Sequence, residues 1–167
     1  MVTCGPFQKP NIVTLAWAGT VSSDPPMIGI SIRPSRLSCD LVKQQLEFAV
    51  NLPTVDLVRV TDYCGTVSGR KVDKFAATGL TAVRAQAIDT ALIDECPVNI
   101  ECKVTQIVPL GSHDLFLAKV VAVQVDETLL NEQGDLDLSR AELVAYSGAR
   151  YWSLGRLLGT HGFSSKS

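Results

Sequence analysis

A chain of 167 residues and 17.9 kDa is long enough to bury one sizeable core and too short for two independent ones. Fifteen Lys and Arg against seventeen Asp and Glu leave a formal charge of −2 and a pI near 5.6, which excludes the basic footprint that recognition of a nucleic-acid backbone needs. Hydrophobic residues make up 46% and charged ones 19%, too apolar for disorder, and no apolar run reaches the roughly 18 residues of a membrane span. Composition therefore predicts a soluble, globular protein that engages neither nucleic acid nor membrane. The cysteines, Cys4, Cys39, Cys64, Cys96 and Cys102, fit no C-x-x-C or zinc-ligand spacing. Their odd number without a signal peptide points to a reducing cytoplasm, where they act as small packing residues and not as metal ligands.

In chain order, Met1 to Cys4 and Ile12 to Ala18 read as strands. After Pro25-Pro26, Ile28, Ile30 and Ile32 alternate with Gly29, Ser31 and Arg33, the period-2 pattern of a half-buried strand that puts Ser31 and Arg33 on one face. Ser38 is placed to cap a helix through Leu41, Val42 and Leu46, with Asp40 in the first turn where the dipole favours it. Phe48 to Leu52 and Leu80 to Arg84 are short strands; Val55 to Tyr63 and Val72 to Ala77 are helical stretches. Val98 to Gln106 alternates cleanly, with Asn99, Glu101, Lys103 and Thr105 on the outward face, and a hairpin-type link, Pro109 to Asp114, leads to its antiparallel partner Leu115 to Val125. Leu143 to Leu158 carries a helical pattern despite Gly148 and Gly155. Without repeats or linkers, this predicts one domain over 1–159 and a flexible tail over 160–167. Short strands without alternating helices argue for a mainly β barrel with peripheral helices, not a doubly wound sheet.

Hydrolase chemistry has little to work with: there is no G-x-S-x-G, and the two histidines are His113 and His161. Neither a P-loop nor a Rossmann turn is present. A different phosphate cradle is visible from Ile30 to Ser38, where Ser31, Arg33, Ser35 and Ser38 lead into a helix N-terminus; capping and turn chemistry alone would also account for it. Asp62 to Phe75 gathers Gly hinges, a Ser-Gly-Arg turn and an Asp-Lys pair, as a loop closing on a ligand does, or as an exposed connection with a weak Arg70–Asp73 pair does. Asn11, Thr14 and Trp17 form a third cluster, with Trp17 as core residue or ring platform.

Together and in this order the clusters resemble the flavin reductase-like family, which includes flavoredoxins and the reductase partners of two-component monooxygenases. The resemblance rests on Asn11-x-x-Thr14-x-x-Trp17, Pro25 to Pro34, Phe48-x-Val50-Asn51-Leu52-Pro53, Asp62-x-Cys64-Gly65, Ser68-Gly69-Arg70, Asp73-Lys74-Phe75, Gly79-Leu80-Thr81, Glu95-Cys96 and Gly111-Ser112-His113. It implies a Greek-key antiparallel split β-barrel that binds FMN, a homodimer with the flavin near the subunit interface, and NADH or NADPH as donor. Asn11, Thr14 and Trp17 would flank the isoalloxazine, Ser31, Ile32, Arg33 and Ser38 would surround the phosphate, and Asn51 would lie beside the flavin. Ser68, Arg70, Asp73 and Lys74 would serve the flavin or nicotinamide side, Lys74 as a cation for the reduced ring. His113 is the candidate catalytic residue, as a gate or nicotinamide contact, with Tyr151 a lesser one. Members of that family usually extend ahead of the position of Met1, where a further strand or cover would lie. The implied function is hydride transfer from nicotinamide to FMN N5 and onward to free flavin, a monooxygenase or a redox protein; the alternatives are an FMN carrier reduced by a protein donor, or a binding barrel without FMN.

Overall fold

A computed structural model describes residues 1–165. Eleven strands are β1 (Val2–Cys4), β2 (Asn11–Val13), β3 (Ala18–Ser23), β4 (Pro26–Ile32), β5 (Glu47–Leu52), β6 (Ala82–Arg84), β7 (Ala91–Ile93), β8 (Val98–Pro109), β9 (Asp114–Val125), β10 (Val144–Ser147) and β11 (Arg150–Ser153). Three α-helices, α1 (Leu37–Gln45), α2 (Val58–Thr66) and α3 (Lys74–Thr78), pack outside them. None is long and apolar enough to cross a membrane.

Seven strands pair antiparallel in the order β2-β1-β5-β8-β9-β4-β3, and β6–β7 and β10–β11 form separate two-stranded ribbons. The edge strands β2 and β3 are joined by Thr14 to Trp17 alone. An extended chain from Val13 to Ala18 spans at most about 18 Å, whereas the edges of a flat seven-stranded sheet lie about 29 Å apart. The sheet must curl. Register shifts between β8 and β9 at Glu101/Cys102 and Val104/Gln106, and between β3 and β4 at Thr20/Ser22, supply bends of the kind that β-bulges introduce. The product is the expected mainly β barrel, split between its edge strands.

Its interior holds Val2, Ile28, Ile30, Ile32, Phe48, Cys102 and Phe116, closed at one end by Cys39 and Val42 of α1. A second cluster, Ile12, Cys64, Phe75, Leu80, Ile93 and Cys96, seats α2, α3 and β7 on the outside. All five cysteines are buried and unpaired, and burial lifts the thiols, Cys4 and Cys39 to about 11 and Cys96 and Cys102 to about 12. They are packing residues, as their spacing implied.

Several sequence expectations are corrected. The strand expected over Ile12 to Ala18 breaks at 14–17, where the chain crosses the split. The helix expected over Leu143 to Leu158 is the β10–β11 hairpin instead: Gly148 and Ala149 both have positive φ, at 58° each, as a tight two-residue hairpin turn demands. Val144, Tyr146, Tyr151 and Trp152 then suit strand better than helix. Ser38 does not cap α1. Arg36 is the N-cap and offers no side-chain bond, while Ser38 lies buried in the first turn. The Val72 to Ala77 helix shortens to α3, with Asp73 accepting from the Ala76 N–H at 3.2 Å as its cap. Of the tail, Phe163–Ser165 forms a 3-10 turn; residues 166 and 167 fall outside the described residues.

Glu101, expected on the outward face, is wholly buried. Its carboxylate accepts from the N–H groups of Gln86 at 2.9 Å and Ala87 at 2.7 Å and from Gln124 Nε2 at 2.7 Å, tying the 85–90 loop to β8 beside the first register shift. Glu101→Ala strands two backbone donors, and we expect a loss of about 3 kcal/mol, read as a lower urea midpoint at unchanged m-value.

Candidate functional site

Peptide groups at the split have no neighbouring strand, and a groove opens there. One lobe, of about 400 Å³, is walled by Leu15, Val50, Leu52, Val144 and Tyr146, with Thr14, Asp62, Thr66 and Tyr151 as its polar groups. The other, of about 330 Å³, is lined by Trp17, Ile32, Arg33, Arg36 and His113. Thr14, Leu15, Ala16 and Tyr146 belong to both, so the lobes are one continuous trough in the size range of ligand sites.

The crossing segment is held from both sides. Thr14 Oγ1 donates to the Thr61 carbonyl at 2.5 Å, and α2 comes so close that a Cβ on Gly65 would lie 3.2 Å from Thr14 Cβ. The Trp17 carbonyl accepts from the Ser31 N–H at 3.0 Å, which leaves the indole 59% exposed. His113, at the tip of the β8–β9 hairpin, meets that indole edge-on, with centroids 4.5 Å apart and planes at 61°; its Nδ1 lies 2.9 Å from Ser112 Oγ. Among the described residues neither Arg33 nor Arg36 is in a salt bridge. Both guanidinium groups therefore stand free beside the uncapped N-terminus of α1, a place that favours an anion.

Of the residues singled out from the sequence, Thr14, Trp17, Ile32, Arg33, His113 and Tyr151 line the groove. The others are framework. Asn11 Nδ2 donates to Ser38 Oγ at 2.8 Å, and Gly69 packs so tightly on this pair that a Cβ there would collide with Asn11 Oδ1. Ser31 contributes its N–H to the crossing segment. Asn51 lies in the core, donating to Thr3 Oγ1 at 3.1 Å and accepting from the Ile93 N–H at 3.0 Å, while its neighbours Val50 and Leu52 face the groove. Ser68 Oγ accepts from the Arg70 N–H at 3.3 Å. Arg70 pairs at 2.6 Å with Asp40 and not with Asp73, a half-exposed contact of small weight.

Lys74 is 3% exposed, and its Nζ donates to the carbonyls of Ile12 and Cys64 at 2.6 Å each. Burial lowers its pKa. It braces β2 against the end of α2 from behind the groove. The sequence reading passed over Arg36, Asp62 and Tyr146 as individual site residues. Arg36 and Asp62 lay inside the stretches already singled out, and the strand-favouring Val144, Tyr146, Tyr151 and Trp152 were the available signal for the hairpin wall.

Tyr151, on β11, donates its O–H to Asp62 Oδ1 at 3.0 Å and packs on Tyr146 with ring centroids 5.1 Å apart. Burial first, then the Asp62 carboxylate, push its phenol up to about 12.

The architecture defines a split-barrel protein with an elongated, charge-bearing groove at the split. The chain matches the flavin reductase like domain over residues 1–153 and belongs to that family. It is similar to flavoredoxin of Desulfovibrio vulgaris (Miyazaki F), with a TM-score of 0.92 at 30% identity over 99% of this chain and 90% of that one. Flavoredoxin of Methanosarcina acetivorans superposes with a TM-score of 0.89 at 28% identity, covering 99% and 90% of the two chains. An uncharacterised protein of Archaeoglobus fulgidus is 32% identical over 130 residues, 78% of this chain and 73% of that one.

Because the Tyr151 phenol is raised in the folded chain, its stabilising contribution is complete below its ordinary value of 10.0 and is lost as pH rises from there to about 12. Ultraviolet difference titration should show one of the three tyrosines ionising late, and Tyr151→Phe should remove that late phase; a Tyr151→Phe variant that retains it would refute the assignment.

Proposed function

We propose that the groove binds FMN and that the protein is a flavin oxidoreductase that takes hydride from NADH or NADPH and passes reducing equivalents to an acceptor. The observation that carries this is the juxtaposition of free guanidinium groups and an uncapped helix N-terminus with an apolar trough. A phosphate-bearing flat ring has the matching shape: Arg33, Arg36 and the α1 N-terminus suit the phosphate, and Leu15, Val50, Leu52 and Tyr146 suit the ring. Likeness to two flavoredoxins adds support. Bound flavin supplies the redox step, accepting hydride at N5.

The chain's own residues orient and screen. Thr14 to Ala16 form the floor, and Trp17 with His113 covers the phosphate-side lobe, so His113 acts as a gate or a nicotinamide contact. Lys74, bonded to backbone carbonyls, works through the position of β2 and not by touching a ligand. We also propose a homodimer: Trp152, Leu154, Leu157, Leu158 and Phe163 are exposed on the hairpin and the segment after it, and a run of exposed large apolar side chains suits an interface with a second copy. Light scattering should return twice the chain mass, and a monomer at micromolar concentration would refute it.

Anaerobic titration of the FMN-loaded protein with NADH, and separately NADPH, should bleach the flavin bands with at least one donor. Bleaching by dithionite alone would make it a carrier fed by another protein, a function the flavoredoxin likeness also suits. Arg33→Ala should raise the FMN Kd about 30-fold, the scale of one charge-assisted hydrogen bond, while the reduction rate at saturating FMN stays put. Equal loss in both would move the phosphate elsewhere.

A further inference from the structure

The groove is polarised along its length. Arg33, Arg36 and His113 gather in one lobe; in the other, Asp62 is the one acidic or basic side chain among the described lining residues. Tyr151 occupies Asp62 Oδ1 at 3.0 Å, and no protein donor among the described residues meets Oδ2. That oxygen is an acceptor on an exposed residue that lines the lobe walled by Leu15, Val50, Leu52 and Tyr146. A carboxylate there repels the anionic end of a ligand and attracts an N–H donor. Apolar and aromatic walls on either side admit a flat ring.

We infer that the Asp62–Tyr151 pair is a second recognition point, taking the amide or imide N–H edge of a planar ligand whose phosphate lies against Arg33 and Arg36; this rests on the flavin function proposed above. The two ends of the trough then fix which way round the ligand lies. Tyr151 holds the carboxylate in place, and its position on β11 couples that recognition to closure of the hairpin wall. Two redox partners present such an edge: the imide N3–H of a flavin and the carboxamide of a nicotinamide.

Two arms separate these sources. In the first, equilibrium binding of FMN and of N3-methyl-FMN, which lacks the imide proton, is measured for wild type, Asp62→Ala and Tyr151→Phe. Wild type should prefer FMN about ten-fold, Asp62→Ala should bind both alike, and Tyr151→Phe, which keeps the carboxylate, should retain most of the preference. In the second arm, KM is compared for NADH and for its 3-acetylpyridine analogue, whose ketone has no N–H. A preference for NADH that collapses in Asp62→Ala, with the flavin arm flat, assigns the edge to the nicotinamide and overturns its assignment to the ligand whose phosphate lies against Arg33 and Arg36. Thermal unfolding of each variant shows whether the fold is intact.

If wild type binds FMN but neither arm depends on Asp62, the pair is only a tether for the hairpin and the inference falls while the flavin function stands. If wild type binds no FMN, both fall together.

Discussion

Four residues join strands at opposite edges of a seven-stranded sheet, and the rest of the structure follows from that short reach. Because so short a link cannot cross a flat sheet, the sheet is bent until β2 and β3 approach each other. The bend is distributed through bulges, and the longest strands, β8 and β9, carry two of the register shifts. Closure stops at the link. Its peptide groups lack a flanking strand on both sides, so they must find other partners or face solvent. The Trp17 carbonyl finds the Ser31 N–H of β4, while Thr14 is anchored on α2 through its side-chain hydroxyl, and the trough between those supports is the candidate site. Fold and site thus have a common cause.

The buried polar residues make sense in the same terms. Asn51, Glu101 and Lys74 each satisfy backbone groups from segments that carry few backbone bonds of their own. Glu101 holds the 85–90 loop, Asn51 ties β1 and β7 to β5, and Lys74 joins β2 to the C-terminal end of α2. Helix C-termini favour a cation electrostatically, which offsets part of the cost of burying the ammonium. Residues that in sequence look like reactive groups are here the connectors of an irregular barrel wall.

That distinction marks how far the sequence was legible. Period-2 alternation identified β4 because it buries one face and leaves the other wetter, and it identified β8 although Asn99 and Glu101 on its polar face are buried too; β9 followed as its hairpin partner, with Gly111 in the Pro109 to Asp114 link marking the turn. The lobe of Arg33 and Arg36 was legible as a run of Arg and Ser before a helix, although the cap and the bonding of Ser38 were not. Asn11, Asn51 and Lys74 were assigned to the ligand because their polarity is visible in sequence while their burial is not; a motif residue serves equally well by positioning its neighbour. The β10–β11 hairpin was missed for a physical reason too. Its turn places Ala149 at positive φ, which a non-glycine residue rarely adopts, so local preference alone does not announce it.

The two walls of the groove differ in how they are held. The floor and the α2 wall are seated on the outer cluster and braced by Lys74, and the β4 side belongs to the main sheet. The β10–β11 wall is outside that sheet. It is joined to the barrel at its base by the Val55 N–H to the Glu142 carbonyl at 2.9 Å and the Val144 N–H to the Pro53 carbonyl at 3.2 Å, and farther along by Tyr151 on Asp62. Sparse attachment of one wall against dense attachment of the other makes the hairpin the wall that opens at lower cost. A rigid trough can set the geometry of a bound ring, while a lightly held hairpin can let it in and shield it from water. In the homodimer proposed above, the exposed apolar run just beyond β11 would be where the second copy restrains that hairpin.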